Sequence, residues 1–325
     1  MINTPPQISV IIPIYNVEKY LPRCLDSVLN AGMDSIEVIC VNDASPDGSS
    51  DIIERYSKKD ARVRAITKSK NEGTMLARQT GYENARGEYI FFIDADDMVV
   101  EGAFEKLYSA GKENDADIVI ADYYTLNRKG KMIYCDRTSG ITTDPESYQK
   151  GMLHNKSCTL WGHLFRRNLF TDFKYVSFNI LLSEDRMLFI QMLKNATKIF
   201  PLKVPSIVYI INDNAVTQKL MSEDKLRQNL FGLTWCKNFF KGDERYERQA
   251  ITKYLNSVSY IIECGYPLEI IQEYFKDNPE LLSHDSLKQH LGPRLAFHTT
   301  LCMKSRLYQK ASSSARKMIR KIVGK

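Results

Sequence analysis

Between Ile8 and Ile93 the chain alternates apolar, β-branched runs with stretches of helical period, and this alternation limits the fold more than any other feature. "ISVIIPIY" (8–15), "IEVICV" (36–41), "VRAIT" (63–67) and "YIFFI" (89–93) read as strands. Between them, "YLPRCLDSVLNAG" (20–32) places apolar residues at 21, 25, 28 and 29, with Pro22 suited to its first turn. "SSDIIERYSKK" (49–59) offers Ser and Asp at a helix start, and "TMLARQTGYENARG" (74–87) reads as a helix ending at Gly87. A βαβαβαβ series predicts an α/β fold, a parallel sheet with helices on both faces.

In such sheets ligands bind beyond the carboxyl ends of the strands, so the residues that follow each strand carry the information. These are Tyr15-Asn16, Asn42-Asp43 and Asp94-Ala95-Asp96-Asp97. Asp suits a solvated turn, but three carboxylates in four residues repel one another unless a cation or donors offset the charge. Asp94 and Asp96, two apart, point the same way from an extended segment. Their oxygens suit a hard cation such as Mg²⁺ or Mn²⁺, which commonly bridges nucleotide phosphates and neutralises a departing diphosphate. Asp43 can accept from a base or ribose, Tyr15 can stack on a base, and Arg78 can meet a diphosphate.

The next hundred residues are less regular. "ADIVIADYYTL" (116–126) and "SIVYIIN" (206–212) read as strands, and "SEDRMLFIQMLKNA" (183–196) as a helix with Ser183 at its N-cap and two acids in its first turn. Beyond Ser222 the period is helical, most clearly at 227–240 and 254–265. Three regions result: a ligand-binding half (1–100), a second half (101–220) and a helical C-terminal region (221–325).

The series "ISVIIPIYNVEKYLPRCLDSVL", "IEVICVNDASPDGSSDIIERY", "NEGTMLARQTGYENARGEYIFFIDADD", "WGHLFRR" and "LLSEDRMLF" resembles, in order and spacing, the family 2 glycosyltransferases over about residues 7–215. The resemblance implies the GT-A fold: a Rossmann-like, mostly parallel central sheet flanked by helices, its first half binding a nucleotide-sugar and its second the acceptor. Carried over by motif, Pro13, Tyr15 and Asp43 line the base pocket, Arg78 lies near the donor diphosphate, and Asp94 and Asp96 form the Asp-x-Asp metal motif, with Asp96 the direct ligand. Glu184-Asp185 matches the family's Glu-Asp pair, whose Asp is the catalytic base. The implied reaction is an inverting, Mn²⁺- or Mg²⁺-dependent transfer of a hexose or N-acetylhexosamine from a UDP-sugar. The implied acceptor is a saccharide or lipid-linked saccharide of cell-surface polysaccharide or glycolipid. A non-catalytic nucleotide-sugar-binding homologue is the alternative. The chain departs from the family pattern at Asn42 and Ala44 (often Asp and Gly), at Gln79 (often Asn) and at His163 (often Lys).

Plainer readings stand beside these roles. Helix N-terminal charge alone accounts for an acid at 185, and Glu184 fits a supporting role or simple capping. Trp161 fits either an acceptor-stacking ring or a packing residue, and the five histidines form no ligand cluster. A dehydrogenase is excluded, because "IIPIYNVEKY" lacks the glycine-rich turn.

The net charge of +6 is unevenly spread. Residues 286–325 hold ten Lys or Arg and no acid, leaving 35 basic against 39 acidic side chains elsewhere. The acidic body argues against nucleic acid as a partner. The tail, with Met318, Ile319, Ile322 and Val323 at helical spacing among Arg316, Lys317, Arg320 and Lys321, reads as an interfacial helix for an anionic membrane surface. Seven scattered cysteines without a CxxC pair, no signal-like segment and no long apolar run lead to an expected cytoplasmic location, peripheral on the inner membrane face.

Overall fold

A computed structural model describes residues 5–154, 159–174, 183–211, 222–305, 309 and 312. The tail pattern at 316–323 lies outside the described residues. The chain forms two compact units: the first runs to Leu220, apart from Leu153–Asn155, and the second begins at Met221.

The first unit is built on a nine-stranded sheet with strand order β3-β2-β1-β4-β8-β6-β9-β5, and β7 pairs with β6. Strands β1 (Ile8–Ile14), β2 (Ile36–Asn42), β3 (Val63–Thr67) and β4 (Tyr89–Phe92) are parallel neighbours, as the alternation predicts. Helices α1 (Leu21–Leu29), α2 (Ser49–Lys59) and α3 (Thr74–Glu83) connect them. The side-chain alternation of β1 shows how both faces are covered. Ile8, Val10, Ile12 and Ile14 join Leu21, Leu25 and Val28 of α1 in one core. Ile11 faces α3 so closely that a Cβ at Gly81 would lie 2.3 Å from its Cγ2. Each such fully buried side chain contributes roughly 1.5–3 kcal/mol relative to exposure.

Helix α3 stops at Glu83, four residues before Gly87. Gly87 is needed for a different reason than ending a helix: a Cβ there would sit 2.5 Å from the Ser9 nitrogen, so only glycine lets this turn pass the start of β1.

The rest of the sheet is mixed. β8 (Leu164–Arg166) pairs antiparallel with both β4 and β6 (Ile118–Leu126). β9 (Ile199–Ile210) runs parallel to β6 and antiparallel to β5 (Met98–Val99), and β7 (Met132–Cys135) closes a hairpin with β6. β9 starts seven residues earlier than the pattern at 206–212 suggests. Pro201 and Pro205 hide its first half, and the β6–β9 register shifts around Asp122. Helices α4 (Ala103–Glu113), α5 (Pro145–His154) and α6 (Glu184–Asn195) complete this unit.

The second unit is helical, with α7 (Glu223–Phe239), α8 (Glu247–Glu263), α9 (Leu268–Glu273), α10 (His284–Leu291) and α11 (Pro293–Lys304). Leu226, Leu230, Leu255, Ile262, Leu287 and Ala296 form its core.

Candidate active site

The parallel register Ile14↔Asn42 and Ile11↔Phe92 brings the ends of β1, β2 and β4 to one edge. Tyr15 follows β1 and is 47% exposed. Asp43 follows β2 and is buried. Asn16 and Ala44, the next residues, both take left-handed backbone, with φ of 56° and 55°. A side-chain network fixes these two turns. Asn42 Oδ1 accepts from the Ser45 nitrogen at 2.9 Å, and Ser45 Oγ accepts from the Asn16 nitrogen at 2.7 Å and donates to Asp47 at 2.6 Å. Burial acts to raise the Asp47 carboxyl, but the Ser45 hydroxyl and the Glu18 and Ser49 nitrogens more than reverse this, to about 2. The departures at 42 and 44 thus have different structural weights. Asn42 takes part in the network, whereas Ala44 holds a conformation that suits glycine and costs an L-residue about 1–2 kcal/mol.

These turns border a pocket of about 580 Å³, the size of a small-ligand site. Pro13, Tyr15, Asp43, Arg78, Asp94, Asp96 and Glu184 all line it, so a single cavity collects every candidate except Asp185. Asp43 also holds the turn before α3, accepting from the Glu72 and Gly73 nitrogens at 3.0 and 2.7 Å, with Lys68 Nζ 3.5 Å away. Asn71 lines the same wall. Its Oδ1 accepts from the Gly73 nitrogen at 3.0 Å, which leaves its amide donors for a ligand. Asn71 opens the segment "NEGTMLARQTGYENARGEYIFFIDADD", but nothing in the sequence singles out its amide.

Arg78 is the centre of the site. Its buried guanidinium donates to Asp94 Oδ1 at 2.9 Å through Nη2 and to Asp185 Oδ1 at 2.5 Å through Nη1. Burial acts to lower the Arg78 pKa, and Asp185 and Asp94 more than reverse that. Arg78 is therefore a brace between two carboxylates as well as a pocket wall. Asp185 Oδ2 accepts from the Leu160 nitrogen at 3.2 Å, so both of its oxygens are oriented. Glu184 is pushed up to about 7 by burial and by Asp185. Ser183 occupies the N-cap position in left-handed backbone (φ 76°) and does not make the expected cap bond.

The three carboxylates after β4 have separate places. Asp94 and Asp96 line the pocket with the buried Ala95 between them, and Arg23 holds the Asp96 carbonyl at 3.1 Å. Asp97 turns inward and is fully buried, its Oδ1 accepting from the Ile210 nitrogen at 2.8 Å. Burial first, then Asp94 and Asp96, push its carboxyl well above the usual range. Asp97 ties the strand-end loop to β9.

Trp161 is 8% exposed and packed between Tyr209 (5.4 Å, stacked) and Tyr123 (5.1 Å, edge-on), with the Arg137 guanidinium 4.3 Å from its ring. The packing reading of this Trp therefore prevails. His163 is buried between the Ala121 nitrogen and Arg137, and burial and the Arg137 charge hold it well below the usual range, which leaves it neutral.

The sequence profile of Glycosyl transferase family 2 matches residues 9–172, just over half of the chain. The chain belongs to glycosyl transferase family 2. The match contains the whole pocket edge from β1 to β4 and stops before Glu184-Asp185. EpsJ, an uncharacterized glycosyltransferase of Bacillus subtilis, is 33% identical over 220 residues, 66% of this chain and 63% of EpsJ. The poly(ribitol-phosphate) beta-glucosyltransferase of Bacillus spizizenii is 39% identical over 127 residues, 38% of this chain and 20% of that protein. The chain thus spans less than two thirds of the length of these curated relatives. Among solved structures, S. aureus TarS 1-349 in complex with UDP-GlcNAc matches with a TM-score of 0.72 at 16% identity, covering 96% of this chain and 92% of that one. The fold is that of a GT-A glycosyltransferase.

The donor set of this family 2 site fits a hard divalent cation. No group of three or more His, Cys, Asp or Glu converges as a cage among the described residues. However, a phosphate-bridging cation is held by one or two carboxylates and takes its other ligands from phosphate and water. Burial pushes the Asp94 carboxyl up to about 6, Arg78 offsets part of that, and Asp185 and Asp96 raise it further. Among the described residues the pocket lining holds four acids, Asp43, Asp94, Asp96 and Glu184, with Arg78 as its one cation; Asp43 has Lys68 behind it at 3.5 Å, and Arg78 is shared between Asp94 and Asp185. The mutual repulsion of Asp94 and Asp96 is what a bound cation would offset.

Proposed function

We propose that the chain is an inverting glycosyltransferase that moves a hexose or N-acetylhexosamine from a UDP-sugar to an acceptor hydroxyl in cell-surface polysaccharide or glycolipid synthesis. The observation that carries this reading is the Arg78 brace. One guanidinium spans a carboxylate of the donor pocket, Asp94, and a carboxylate of α6, Asp185, so a cation-binding group and a candidate base share one side-chain clamp. Tyr15, exposed at the pocket edge, would stack on the base. Asp43 and the amide of Asn71 offer an acceptor beside a donor, the pattern that meets a uracil imide N–H and its neighbouring carbonyl. The UDP-GlcNAc bound by TarS, a protein of the same fold, supports the same donor class. The poly(ribitol-phosphate) beta-glucosyltransferase supports a surface-polymer acceptor.

In this reading Asp94 and Asp96 would hold Mn²⁺ or Mg²⁺, whose charge would offset that of the departing diphosphate. Asp185, aimed by Arg78 and the Leu160 nitrogen, takes the proton of the acceptor hydroxyl. The hydroxyl oxygen bonds to the anomeric carbon as the bond from that carbon to the phosphate oxygen breaks, and UDP leaves with the electron pair. The test is release of nucleoside diphosphate from UDP- and GDP-sugars in Mn²⁺ or in chelator. UDP release that needs the metal is expected. Preference for GDP-sugars, equal rates in chelator, or donor binding without release would each contradict the proposal, the last pointing to a non-catalytic homologue.

A further inference from the structure

We propose that the β6–β7 hairpin is a contact element for anionic lipid, separate from the basic tail. Six large apolar side chains are exposed among the described residues, and three of them are consecutive: Met132 (52%), Ile133 (43%) and Tyr134 (43%). Scattered singly, such residues need no explanation; a contiguous set marks an interaction surface. They cover both faces of one strand. Leu126↔Met132 and Tyr124↔Tyr134 lie on one face of the hairpin, and Thr125↔Ile133 on the other. The turn between the strands carries Arg128, Lys129 and Lys131, all exposed, and no Asp or Glu occurs from Tyr123 to Cys135. Apolar and aromatic side chains beside a basic tip suit the headgroup boundary of an anionic bilayer.

The hairpin is held as a fixed projection. The Tyr134 hydroxyl donates to the buried Asp122, which also accepts from the Arg137 and Thr138 nitrogens at 2.7 and 2.9 Å. Its base lies near the candidate active site, since Tyr123 packs edge-on against Trp161 at 5.1 Å and the preceding residue, Leu160, donates its nitrogen to Asp185. Three further strand residues and the turn separate Tyr123 from the tip, about 15 Å, so a hairpin resting on lipid would keep the site within reach of an acceptor anchored there. A second copy of the chain fits this surface less well. β7 has an open edge among the described residues, but it is only four residues long, and lysine beside a sheet edge opposes edge-to-edge pairing.

The experiment measures binding of the full chain to phosphatidylcholine vesicles with and without phosphatidylglycerol. It compares wild type with Lys129→Gln/Lys131→Gln and with Met132→Ser/Ile133→Thr. All four positions are exposed, so thermal melting should be unchanged. Each removed charge should lower partition onto the anionic vesicles by about five-fold, and the apolar pair should weaken it further, while the tail is common to all chains. In Met132→Trp, brominated lipid should quench the added fluorescence. Equal partition of all variants, absence of wild-type binding to anionic vesicles, or no quenching would overturn the proposal. So would a dimer in wild type that the apolar pair abolishes without changing lipid binding.

Discussion

The two halves of the sheet build the candidate site by different means. From β1 to β4, parallel strands end at one edge, and the residues just beyond them present their side chains to the pocket: Tyr15, Asp43, Asp94 and Asp96. From α4 to β9 the strands are mostly antiparallel, and two of the decisive contacts are made by backbone, the Leu160 nitrogen to Asp185 and the Ile210 nitrogen to Asp97. The first arrangement is read by position along a strand. The second depends on loops that meet only in the folded chain. Arg78, on α3 of the first half, joins them.

If the halves divide the chemistry as they divide the geometry, substitutions in each should fail differently. Asp185→Asn keeps the shape but removes the proton acceptor. Turnover should fall by about 10²–10⁴-fold while the KM for donor stays near wild type. Asp96→Asn should lower turnover by about 10²-fold and also weaken donor binding in Mn²⁺, because an amide is a poorer ligand for a hard cation. If both variants lose donor affinity alike, the division between the halves is wrong.

Arg78→Met tests the joint. It would leave Asp94 and Asp185 without their shared cation, and breaking a buried ion pair from one side costs about 3–5 kcal/mol. Chemical denaturation should show that loss, and added Mn²⁺ should recover part of it. A loss below about 1 kcal/mol would mean the brace is not structural.

A smaller, pH-dependent effect should come from Glu184. Its carboxyl rises from the ordinary 4.5 to about 7, chiefly through burial. An acid whose folded pKa exceeds its unfolded pKa binds more protons when folded, so its contribution to stability is present below about 4.5 and is lost as pH rises through about 7. The donor-free protein should therefore melt lower at about pH 8 than at about pH 5, and Glu184→Gln should flatten that difference. An unchanged slope in the variant would place the effect elsewhere. The smallest change belongs to Ala44→Gly. Relief of left-handed backbone should raise stability by about 1 kcal/mol with donor binding unchanged, as measured by denaturant midpoint.

How much of this the sequence discloses follows the same division. The period changes from Ile8 to Ile93 show the β1–β4 sheet and its edge, because fully buried parallel strands read as continuous apolar runs. Pairs such as β4–β8 and β5–β9 each depend on at least one strand of only two to four residues, too short for a period to register. Asp97 reads in sequence like a third pocket acid, and only its bond to Ile210, 113 residues away, reveals it as a tie. Arg78 reads as a diphosphate ligand because its neighbour on α6 is 107 residues distant. Ala44 stands out in sequence as a departure from the family pattern. The cost of that departure becomes visible only with its φ of 55°.

Calorimetric titration of UDP into wild type and Asp96→Asn, each in Mn²⁺ and in chelator, tests the central claim most directly, because it reads the metal site without requiring the acceptor. The account predicts that Mn²⁺ strengthens UDP binding at least about ten-fold in wild type and leaves the variant at the affinity seen in chelator. Equal UDP affinity in Mn²⁺ and chelator for the wild-type protein, or an undiminished Mn²⁺ effect in Asp96→Asn, would contradict a donor site completed by a cation on the Asp94–Asp96 edge.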